Sequence, residues 1–340
     1  MKLTTLGWDD AWAAALASHE DRALQPARVL AVHRGRYAVR GERGEALVPV
    51  AGALEAAASD PASLPAVGDW VALRSGEAIR HVLPRRTLLA RADDDARREA
   101  LAANVDLCIV VTSLDLDLNL RRLERFVALS RAGGCDVLLV CTKGDLSRDP
   151  VGQAADVAAA VGAEAVVLSA YDGWGVNAFR ARMAPRRTAA LLGMSGVGKS
   201  TLVNLLLGEE RQRTLAVRER DARGRHATTH RELFVLDDGA LLIDTPGLRL
   251  PRMASTAGVG DAFADVTAAA AQCRFADCGH AGEPGCGVAA AIAAGELAPA
   301  RLAAMRKLER EGRTAAQRRE RAREFARRHR KEIRARTRHR

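Results

Sequence analysis

The sequence contains a complete phosphate-binding loop, and its position along the chain constrains the fold more than any other feature. The loop has the pattern G-x-x-x-x-G-K-S, with glycines at Gly193 and Gly198 and a lysine at Lys199. The apolar run 188–192 precedes it, and a helical pattern over residues 201–207 follows it. Strand, glycine-rich loop and helix form the context in which backbone N–H groups surround phosphates. The sequence therefore predicts a site for a nucleoside triphosphate.

The residues expected to contact the phosphates belong to this loop and to one later motif. They are Gly193, Ser195, Gly196, Val197, Gly198, Lys199, Ser200, Thr201 and Gly247. The ammonium of Lys199 can stabilise charge on the outer phosphates, so we also expect it to be catalytic.

The later motif, Asp-Thr-Pro-Gly, begins at Asp244 directly after the apolar run 240–243. An aspartate at the carboxyl end of a buried strand can hold Mg²⁺ through water, and the N–H of Gly247 can contact the γ-phosphate. This motif is therefore expected to respond to the outermost phosphate.

A polar segment without hydrophobic periodicity, residues 223–230, lies between the two motifs. That composition is typical of a mobile switch loop. We expect Thr228 to bind Mg²⁺ together with Ser200 and Asp244, and Thr229 is the alternative within the same loop.

The identity of the base depends on the sequence Thr-Lys-Gly-Asp, which follows the apolar run 136–141 and resembles the guanine-reading N-K-x-D motif of GTPases. In GTPases the aspartate of this motif accepts hydrogen bonds from the guanine N1–H and exocyclic amine, a pair of donors that adenine does not offer. Asp145 occupies that position in this chain. The lysine stem, here of Lys143, packs on the purine. Thr142 replaces the asparagine, and because one neutral hydrogen bond contributes about 1 kcal/mol, guanine preference is expected to persist.

Ser169 and Ala170 follow the next apolar run, residues 165–168. They resemble the short Ser-Ala loop whose backbone N–H binds the guanine oxygen. Together with the strand ends, they make the guanine interpretation specific.

The order of these motifs is reversed relative to ordinary GTPases, in which the phosphate loop comes first. A parallel sheet tolerates such a change if the chain is cut at one loop and rejoined at its termini, which often lie close together. We therefore predict a circularly permuted α/β P-loop GTPase domain over residues 91–255. In that arrangement the segment after Asp244 leads directly into the C-terminal part, so nucleotide state can be transmitted there.

Three cysteines and a histidine lie within fourteen residues: Cys273, Cys278, His280 and Cys286. This spacing suits one tetrahedral structural Zn²⁺ ion. Disulfides and buried free thiols are the alternatives, and disulfides are disfavoured because the first ten residues do not resemble a secretory signal. The sequence predicts an α-helical zinc-binding domain over residues 256–312.

The N-terminal part has a different pattern. Five short apolar runs are separated by glycine-rich turns: residues 27–32, 36–40, 45–50, 69–73 and 78–83. They predict an all-β, OB-like barrel over residues 26–90, preceded by an N-terminal extension, residues 1–25. Such barrels often bind RNA, but only Tyr37 and Trp70 are available here for base stacking. The barrel could therefore bind either the RNA backbone or a protein, and the sequence does not distinguish the two.

The chain has a formal net charge of +10, and this excess lies entirely in a basic, arginine-rich tail, residues 313–340. That segment holds thirteen Lys and Arg residues against three Glu. A segment with this many like charges is usually a solvated chain end. An arginine-rich helix or tail that follows RNA phosphates fits better, because the basic clusters alternate with apolar residues. No apolar run reaches the length of a membrane span, so no membrane partner is expected.

The combination of motifs resembles the ribosome small subunit-dependent GTPase A (RsgA) family over residues 26–310. The motifs that carry the resemblance are Asn104-Val105-Asp106, Thr142-Lys143-Gly144-Asp145, the loop from Gly193 to Thr201, Gly224-Arg225-His226-Ala227-Thr228-Thr229, Asp244-Thr245-Pro246-Gly247 and the Cys₃His cluster. The resemblance implies a multidomain, cytoplasmic bacterial GTPase that binds the small (30S) ribosomal subunit and its rRNA late in maturation. It implies slow GTP hydrolysis to GDP alone and faster hydrolysis on the subunit. We further expect a monomer.

Many GTPases have a glutamine directly after D-x-x-G that orients the attacking water. This chain has Leu248 there, which cannot do so. We hypothesise that His226, in the switch loop, is catalytic and is positioned by rRNA to bind that water, since an imidazole exchanges protons near neutral pH. An exposed loop histidine without a role is the alternative.

Three other functions compete with this interpretation. An ATP-using P-loop enzyme would bind adenine nucleotides equally well. A nucleotide-gated, rRNA-binding assembly checkpoint would share the partner but need little hydrolysis. A membrane-trafficking GTPase is disfavoured, because the sequence has no lipidation motif and no amphipathic anchor.

Overall fold

The computed structural model describes residues 2–33, 35–58, 60–74, 77–115, 118–207, 231–245 and 251–338, with side chains up to residue 325. Several residues that the sequence singles out lie outside these ranges: His226, Thr228, Thr229, Gly247 and Leu248.

All five predicted runs of the N-terminal part form strands: β1 (Leu24–His33), β2 (Arg36–Gly41), β3 (Gly44–Pro49), β4 (Trp70–Arg74) and β5 (Ala78–Val82). They pair antiparallel in the order β3-β2-β1-β4-β5. A parallel bridge between Val50 and Ile79 joins the two ends of this order. The strands therefore close on themselves around a small core that includes Val29, Val39 and Val71.

Two helices flank these strands: α1 (Asp10–Ala17) and α2 (Gly52–Ala57). The carboxylate of Asp9 caps α1 by accepting from the N–H of Trp12 at 3.3 Å. The Trp12 ring lies 5.9 Å from that of Trp70, so the helix packs on the strands. Trp70 is fully buried and Tyr37 is 6% exposed. Neither aromatic side chain offers a face on which a base could stack.

The central sheet begins after a hairpin of β6 (Leu88–Ala92) and β7 (Arg98–Ala103). Its strands are β8 (Leu107–Ser113), β9 (Asp136–Thr142), β10 (Glu164–Val167), β11 (Thr188–Leu192), β12 (Glu232–Val235) and β13 (Leu241–Asp244). The spatial order is β10-β9-β8-β11-β13-β12, with all pairs parallel except β13 and β12. Both faces of this sheet are covered, which is why its strands are continuous apolar runs and not alternating ones. Val110, Leu139 and Ile243 are fully buried.

The helices of this part are α3 (Leu120–Ala132), α4 (Pro150–Val161), α5 (Val176–Arg180) and α6 (Lys199–Leu207). The C-terminal part contains only helices among its described elements: α7 (Val259–Ala262), α8 (Ala264–Ala270), α9 (Gly287–Ala293) and α10 (Pro299–Arg338). Helix α10 is 40 residues long and runs without a break through residue 313, where the basic tail begins. Within the described ranges, no helix is both long and apolar enough to cross a membrane.

A buried arginine joins the N-terminal strands to the central sheet. Arg28 is 1% exposed, and its guanidinium donates to the carbonyl oxygen of Gly68 at 3.1 Å and to the hydroxyl of Thr188 at 2.9 Å. Burial lowers the pKa of Arg28 to about 10. Because Thr188 begins β11, this contact fixes the strand that carries the phosphate loop against the N-terminal part.

Helix α10 is attached to the segment that follows β13. The carboxylate of Glu311 accepts from the N–H of Met253 at 2.8 Å and pairs with the guanidinium of Arg125 at 2.6 Å. Next to it, a Cβ atom on Gly312 would lie 2.4 Å from the carbonyl oxygen of Ser255. Only glycine allows the helix to approach this backbone so closely, so the segment leaving the central sheet and the basic helix form one packed unit.

Candidate functional site

The phosphate loop lies between β11 and α6, as predicted. Its glycines Gly193, Gly196 and Gly198 all have positive φ values, 150°, 86° and 94°. A Cβ atom on Gly193 would lie 2.6 Å from the carbonyl oxygen of Val111, so the turn can only form with glycine. The loop ends at the first turn of α6, whose N–H groups and dipole favour an anion.

Lys199 is the first residue of α6 and is 7% exposed. Its ammonium donates to the carbonyl oxygen of Gly193 at 2.9 Å and to that of Met194. Burial lowers the pKa of Lys199, and the nearby charge of Asp244 opposes this effect. The lysine ammonium thus lies inside the loop and binds its carbonyl groups. Ser200, the next residue, is exposed.

Asp244 ends β13, directly beside β11, where its Cα atom is in register with that of Leu191. Burial raises the pKa of the Asp244 carboxyl, and Lys199 lowers it. The next residue, Thr245, donates its hydroxyl to the carbonyl oxygen of Leu191 and is fully buried. A carboxylate and the Ser200 hydroxyl at this edge of the sheet are hard oxygen ligands, which fit Mg²⁺.

The guanine-reading motif meets the phosphate loop directly. Thr142, at the end of β9, donates its hydroxyl to the carbonyl oxygen of Val197 at 2.7 Å and also lies 3.1 Å from that of Thr112. Thr142 is 3% exposed. Two motifs that are 55 residues apart in sequence are therefore tied together by one side chain.

The two charged residues of this motif are more exposed than Thr142. Lys143 has a left-handed backbone, with φ 57°, and its ammonium lies 2.6 Å from the carboxylate of Asp115. Asp145 is exposed in the 3-10 turn Gly144–Leu146.

The Ser-Ala loop lies next to this turn, because the N–H of Gly144 donates to the carbonyl oxygen of Leu168 at 3.1 Å. Ser169 is fully buried and donates its own N–H to the carbonyl oxygen of Trp174 at 2.9 Å. Its hydroxyl is buried without a hydrogen-bond partner among the described residues. Ala170 follows directly, half-buried, at the end of the strand and next to the Thr-Lys-Gly-Asp turn.

These loops all leave the carboxyl ends of parallel strands. The chain runs from β8 outward to β9 and β10 and then returns to the other side of β8 as β11. Ligands of open α/β sheets bind where the strand order reverses in this way. The structure thus brings Thr142, Ser169, Gly193 and Asp244 to one edge of the sheet, around a single site.

The four predicted zinc ligands also come together. The ligand atoms of Cys273, Cys278, His280 and Cys286 all lie within 4.8 Å of one another. The Nδ1 of His280 is 3.5 Å from the sulfurs of Cys273 and Cys286, which are 4.0 Å apart. A tetrahedron with metal–sulfur distances of about 2.3 Å has edges of about 3.8 Å, so the cluster fits one Zn²⁺ ion.

Backbone groups support the sulfurs of this cluster. The N–H of Gly287 lies 3.3 Å from the sulfur of Cys273, and that of Ala289 lies 3.4 Å from the sulfur of Cys286. Such hydrogen bonds stabilise thiolates and orient metal ligands.

The structure adds contacts around the site that the sequence did not single out. Glu99, on β7, pairs with Arg231 at 2.7 Å and with Arg91 at 2.8 Å. The N–H of Ala92 donates to the carbonyl oxygen of Arg252 at 3.0 Å. The β6–β7 hairpin thus contacts the chain directly after the predicted switch loop and again after the Asp244 motif.

Comparisons with known proteins lead to one family. A family model described as RsgA GTPase matches residues 82–254. The protein of Opitutus terrae called "Small ribosomal subunit biogenesis GTPase RsgA" is 44% identical, with 94% of this chain and 92% of that protein covered. The protein of the same name from Streptomyces coelicolor is also 44% identical, with coverage of 91% and 86%.

Two solved structures share the fold. The crystal structure of YjeQ from Thermotoga maritima has a TM-score of 0.62 at 25% identity, and the two chains are covered to 85% and 98%. The structure of YloQ, described as a circularly permuted GTPase, has a TM-score of 0.59 at 22% identity, with coverage of 87% and 97%. The reversed motif order is therefore a property of a known fold.

Proposed function

This chain belongs to the RsgA GTPase family, and we propose that it binds the small ribosomal subunit and hydrolyses GTP to GDP and phosphate during late maturation of that subunit. The observation that carries the proposal is the hydrogen bond from Thr142 to Val197, which joins the base-reading and phosphate-binding motifs at one site. A single nucleotide can contact both motifs at this edge of the sheet.

The phosphates bind in the loop from Gly193 to Thr201. The N–H groups of the loop and of the first turn of α6 donate to phosphate oxygens, and Lys199 turns its ammonium from the loop carbonyls to the outer phosphates. There the ammonium stabilises the charge that develops during transfer of the γ-phosphoryl group.

Ser200, through its hydroxyl, and Asp244, through its carboxylate and a water, would hold the Mg²⁺ ion of the bound nucleotide. The bound ion neutralises charge on the phosphate oxygens. Thr228 is the proposed third protein ligand, and the N–H of Gly247 is the proposed contact to the γ-phosphate.

Guanine binds between the Thr-Lys-Gly-Asp turn and the Ser-Ala loop. The exposed carboxylate of Asp145 accepts from the N1–H and the exocyclic amine, and the N–H of Ala170 donates to the guanine oxygen. The stem of Lys143 packs on the purine face. Adenine has an acceptor at N1 and no amine at the same position, so ATP does not satisfy Asp145.

The attacking water is oriented by His226 when the chain is bound to the ribosomal subunit, because Leu248 cannot form hydrogen bonds through its side chain. Replacement of His226 by alanine tests this role directly. Subunit-stimulated hydrolysis should fall to the rate of the isolated chain, whereas an unchanged stimulated rate would exclude His226.

The flanking parts provide the ribosomal contacts. The closed N-terminal strands form an OB-like barrel, and the Cys₃His cluster would hold one structural Zn²⁺ ion, which would fix the helices before α10. The arginines of residues 313–340 bind rRNA phosphates, since the net charge of +10 lies in that segment. The chain works as a monomer in the cytoplasm, where the subunit is assembled.

The experiment that tests this function is a measurement of GTP hydrolysis by the full chain with and without purified small ribosomal subunits. The expected result is slow turnover alone and a large increase with subunits. A rate of GTP hydrolysis that is the same with and without subunits would contradict the ribosomal role. Binding of the subunit without GTP hydrolysis would favour an assembly checkpoint.

A further inference from the structure

Asp115 and Lys143 form an ion pair where two adjacent strands end. The Nζ of Lys143 lies 2.6 Å from the Oδ2 of Asp115. Strands β8 and β9 are parallel, with Ser113 in register with Thr142, and the N–H of Leu114 donates to the carbonyl oxygen of Thr142 at 3.0 Å. The backbone therefore holds the two loops side by side, and the ion pair forms between neighbours whose positions the sheet fixes.

The carboxylate of Asp115 is oriented within the protein itself. Its Oδ1 accepts a hydrogen bond of 2.8 Å from the hydroxyl of Ser113, which is 2% exposed. One carboxylate oxygen is thus fixed by a buried serine, and the other receives the lysine. Because the Asp115 carboxylate is already oriented, it loses little conformational entropy when it binds the ammonium of Lys143.

We propose that Asp115 is a positioning residue for the purine: by holding the ammonium of Lys143, it keeps the aliphatic stem of that lysine along the face of the base. This inference rests on the proposed function, which places Lys143 against guanine. A free lysine loses much rotamer entropy when it is immobilised, and the ion pair removes part of that loss from the binding step. Asp115 contacts the lysine and not the base.

The proposal predicts an effect on binding rather than on folding. The side chains of Lys143 and Asp115 are 37% and 24% exposed, and ion pairs with this much exposure contribute little to stability. Replacement of Asp115 by asparagine is therefore expected to raise the Kd for GDP about three- to tenfold, without a matching loss of thermal stability.

Stacking on the face of a base does not read the groups on its edge. Loss of Asp115 should therefore weaken binding of GDP and of inosine diphosphate, which lacks the exocyclic amine, by the same factor. Replacement of Asp145 should instead change the ratio of these two affinities, because its carboxylate contacts that amine. This difference separates a positioning role for Asp115 from a role in reading the base.

The test uses calorimetric titration of the full chain with GDP, with inosine diphosphate and with ADP. The variants are Asp115→Asn, Ser113→Ala, Lys143→Met, the double variant of Asp115→Asn with Lys143→Met, and Asp145→Asn for comparison of the two affinities. Asp156→Asn, on the exposed face of α4, is the matched control, because it removes one negative charge from the same domain. GTP turnover by Asp115→Asn is measured alongside, and thermal unfolding reports on the fold of each variant.

The proposal expects a raised Kd for Asp115→Asn, a smaller rise for Ser113→Ala and no change for Asp156→Asn. In the Lys143→Met background, Asp115→Asn should add nothing further, because the group that it positions is already gone. The KM for GTP should rise while kcat stays within about twofold, since stacking is uniform binding that leaves the chemical step unchanged.

Two results would overturn the inference alone: an unchanged Kd for GDP in Asp115→Asn, or an effect that adds in full to that of Lys143→Met. Binding of GDP no tighter than that of ADP by the unsubstituted chain would overturn the proposed function, and the role of Asp115 with it. The two failures are therefore distinguishable in one series of titrations.

Discussion

The hydroxyl of Thr142 donates a 2.7 Å hydrogen bond to the carbonyl oxygen of Val197. It joins the end of β9 to the phosphate loop after β11, although β8 lies between these strands in the sheet. In the N-K-x-D motif that this sequence resembles, an asparagine occupies the position of Thr142. Here the shorter hydroxyl is directed to the backbone of the phosphate loop, so its first role is to fix the two loops relative to each other.

Replacement of Thr142 by valine removes this hydrogen bond and preserves the shape of the side chain. Because one neutral hydrogen bond contributes about 1 kcal/mol, the Kd for GDP should rise about fivefold. Titration calorimetry measures the change, and Thr142→Ser, which keeps the hydroxyl, is the matched control. Equal affinities for the valine and serine variants would show that the hydrogen bond does not support nucleotide binding.

Replacement of Lys199 by alanine removes the only ammonium that the structure places inside the phosphate loop among the described residues. The kcat for GTP should fall by at least about 100-fold, the scale of a lost contact that stabilises transition-state charge. Single-turnover hydrolysis with small subunits measures this loss. A kcat within about twofold of the unsubstituted chain would contradict the assigned role.

Removal of Zn²⁺ is expected to loosen the C-terminal helices. The purified chain should contain one Zn²⁺ per molecule by elemental analysis, and a strong chelator should lower its Tm. Cys278→Ser should lose the metal, whereas Cys135→Ser, a buried cysteine outside the cluster, should keep it. Full zinc content in the Cys278 variant would mean that this residue is not a ligand.

Replacement of Gly312 by alanine tests the attachment of α10 to the segment after β13. The added Cβ would lie 2.4 Å from the carbonyl oxygen of Ser255, so the free energy of unfolding in urea should fall by about 1–3 kcal/mol. Gly52→Ala is the control, because a Cβ there meets no atom within 4 Å. If both variants unfold alike, the helix does not depend on this close approach.

Much of the site could be predicted from the sequence, because each motif consists of neighbouring residues with a fixed backbone geometry. The phosphate loop, the strand ends before Thr142 and Asp244, and the Cys₃His cluster all lie where their local patterns indicate. Helix α10 also follows from its composition. Its continuity from residue 299 through 338 does not follow from the charge pattern, which changes at residue 313; the helix continues across that point because arginine is a good helix former.

The contacts between distant elements were not predictable in the same way. Asp115 follows a strand and carries a carboxylate, which is a weak signal, but its partner Lys143 becomes its neighbour only through the strand pairing. Glu311 lies among many charged residues of α10, and nothing local distinguishes the one that accepts from Met253. Trp70 is buried because α1 packs over it, a tertiary contact that its strand pattern does not reveal.

The most direct test of a guanine site at the Thr-Lys-Gly-Asp turn is a competition between GDP and xanthosine diphosphate on Asp145→Asn. Guanine presents two donors to this position, whereas xanthine presents one donor and one acceptor, which match an asparagine amide. The account predicts that the unsubstituted chain prefers GDP and that the variant prefers xanthosine diphosphate. A variant that still prefers GDP would show that Asp145 does not contact the base.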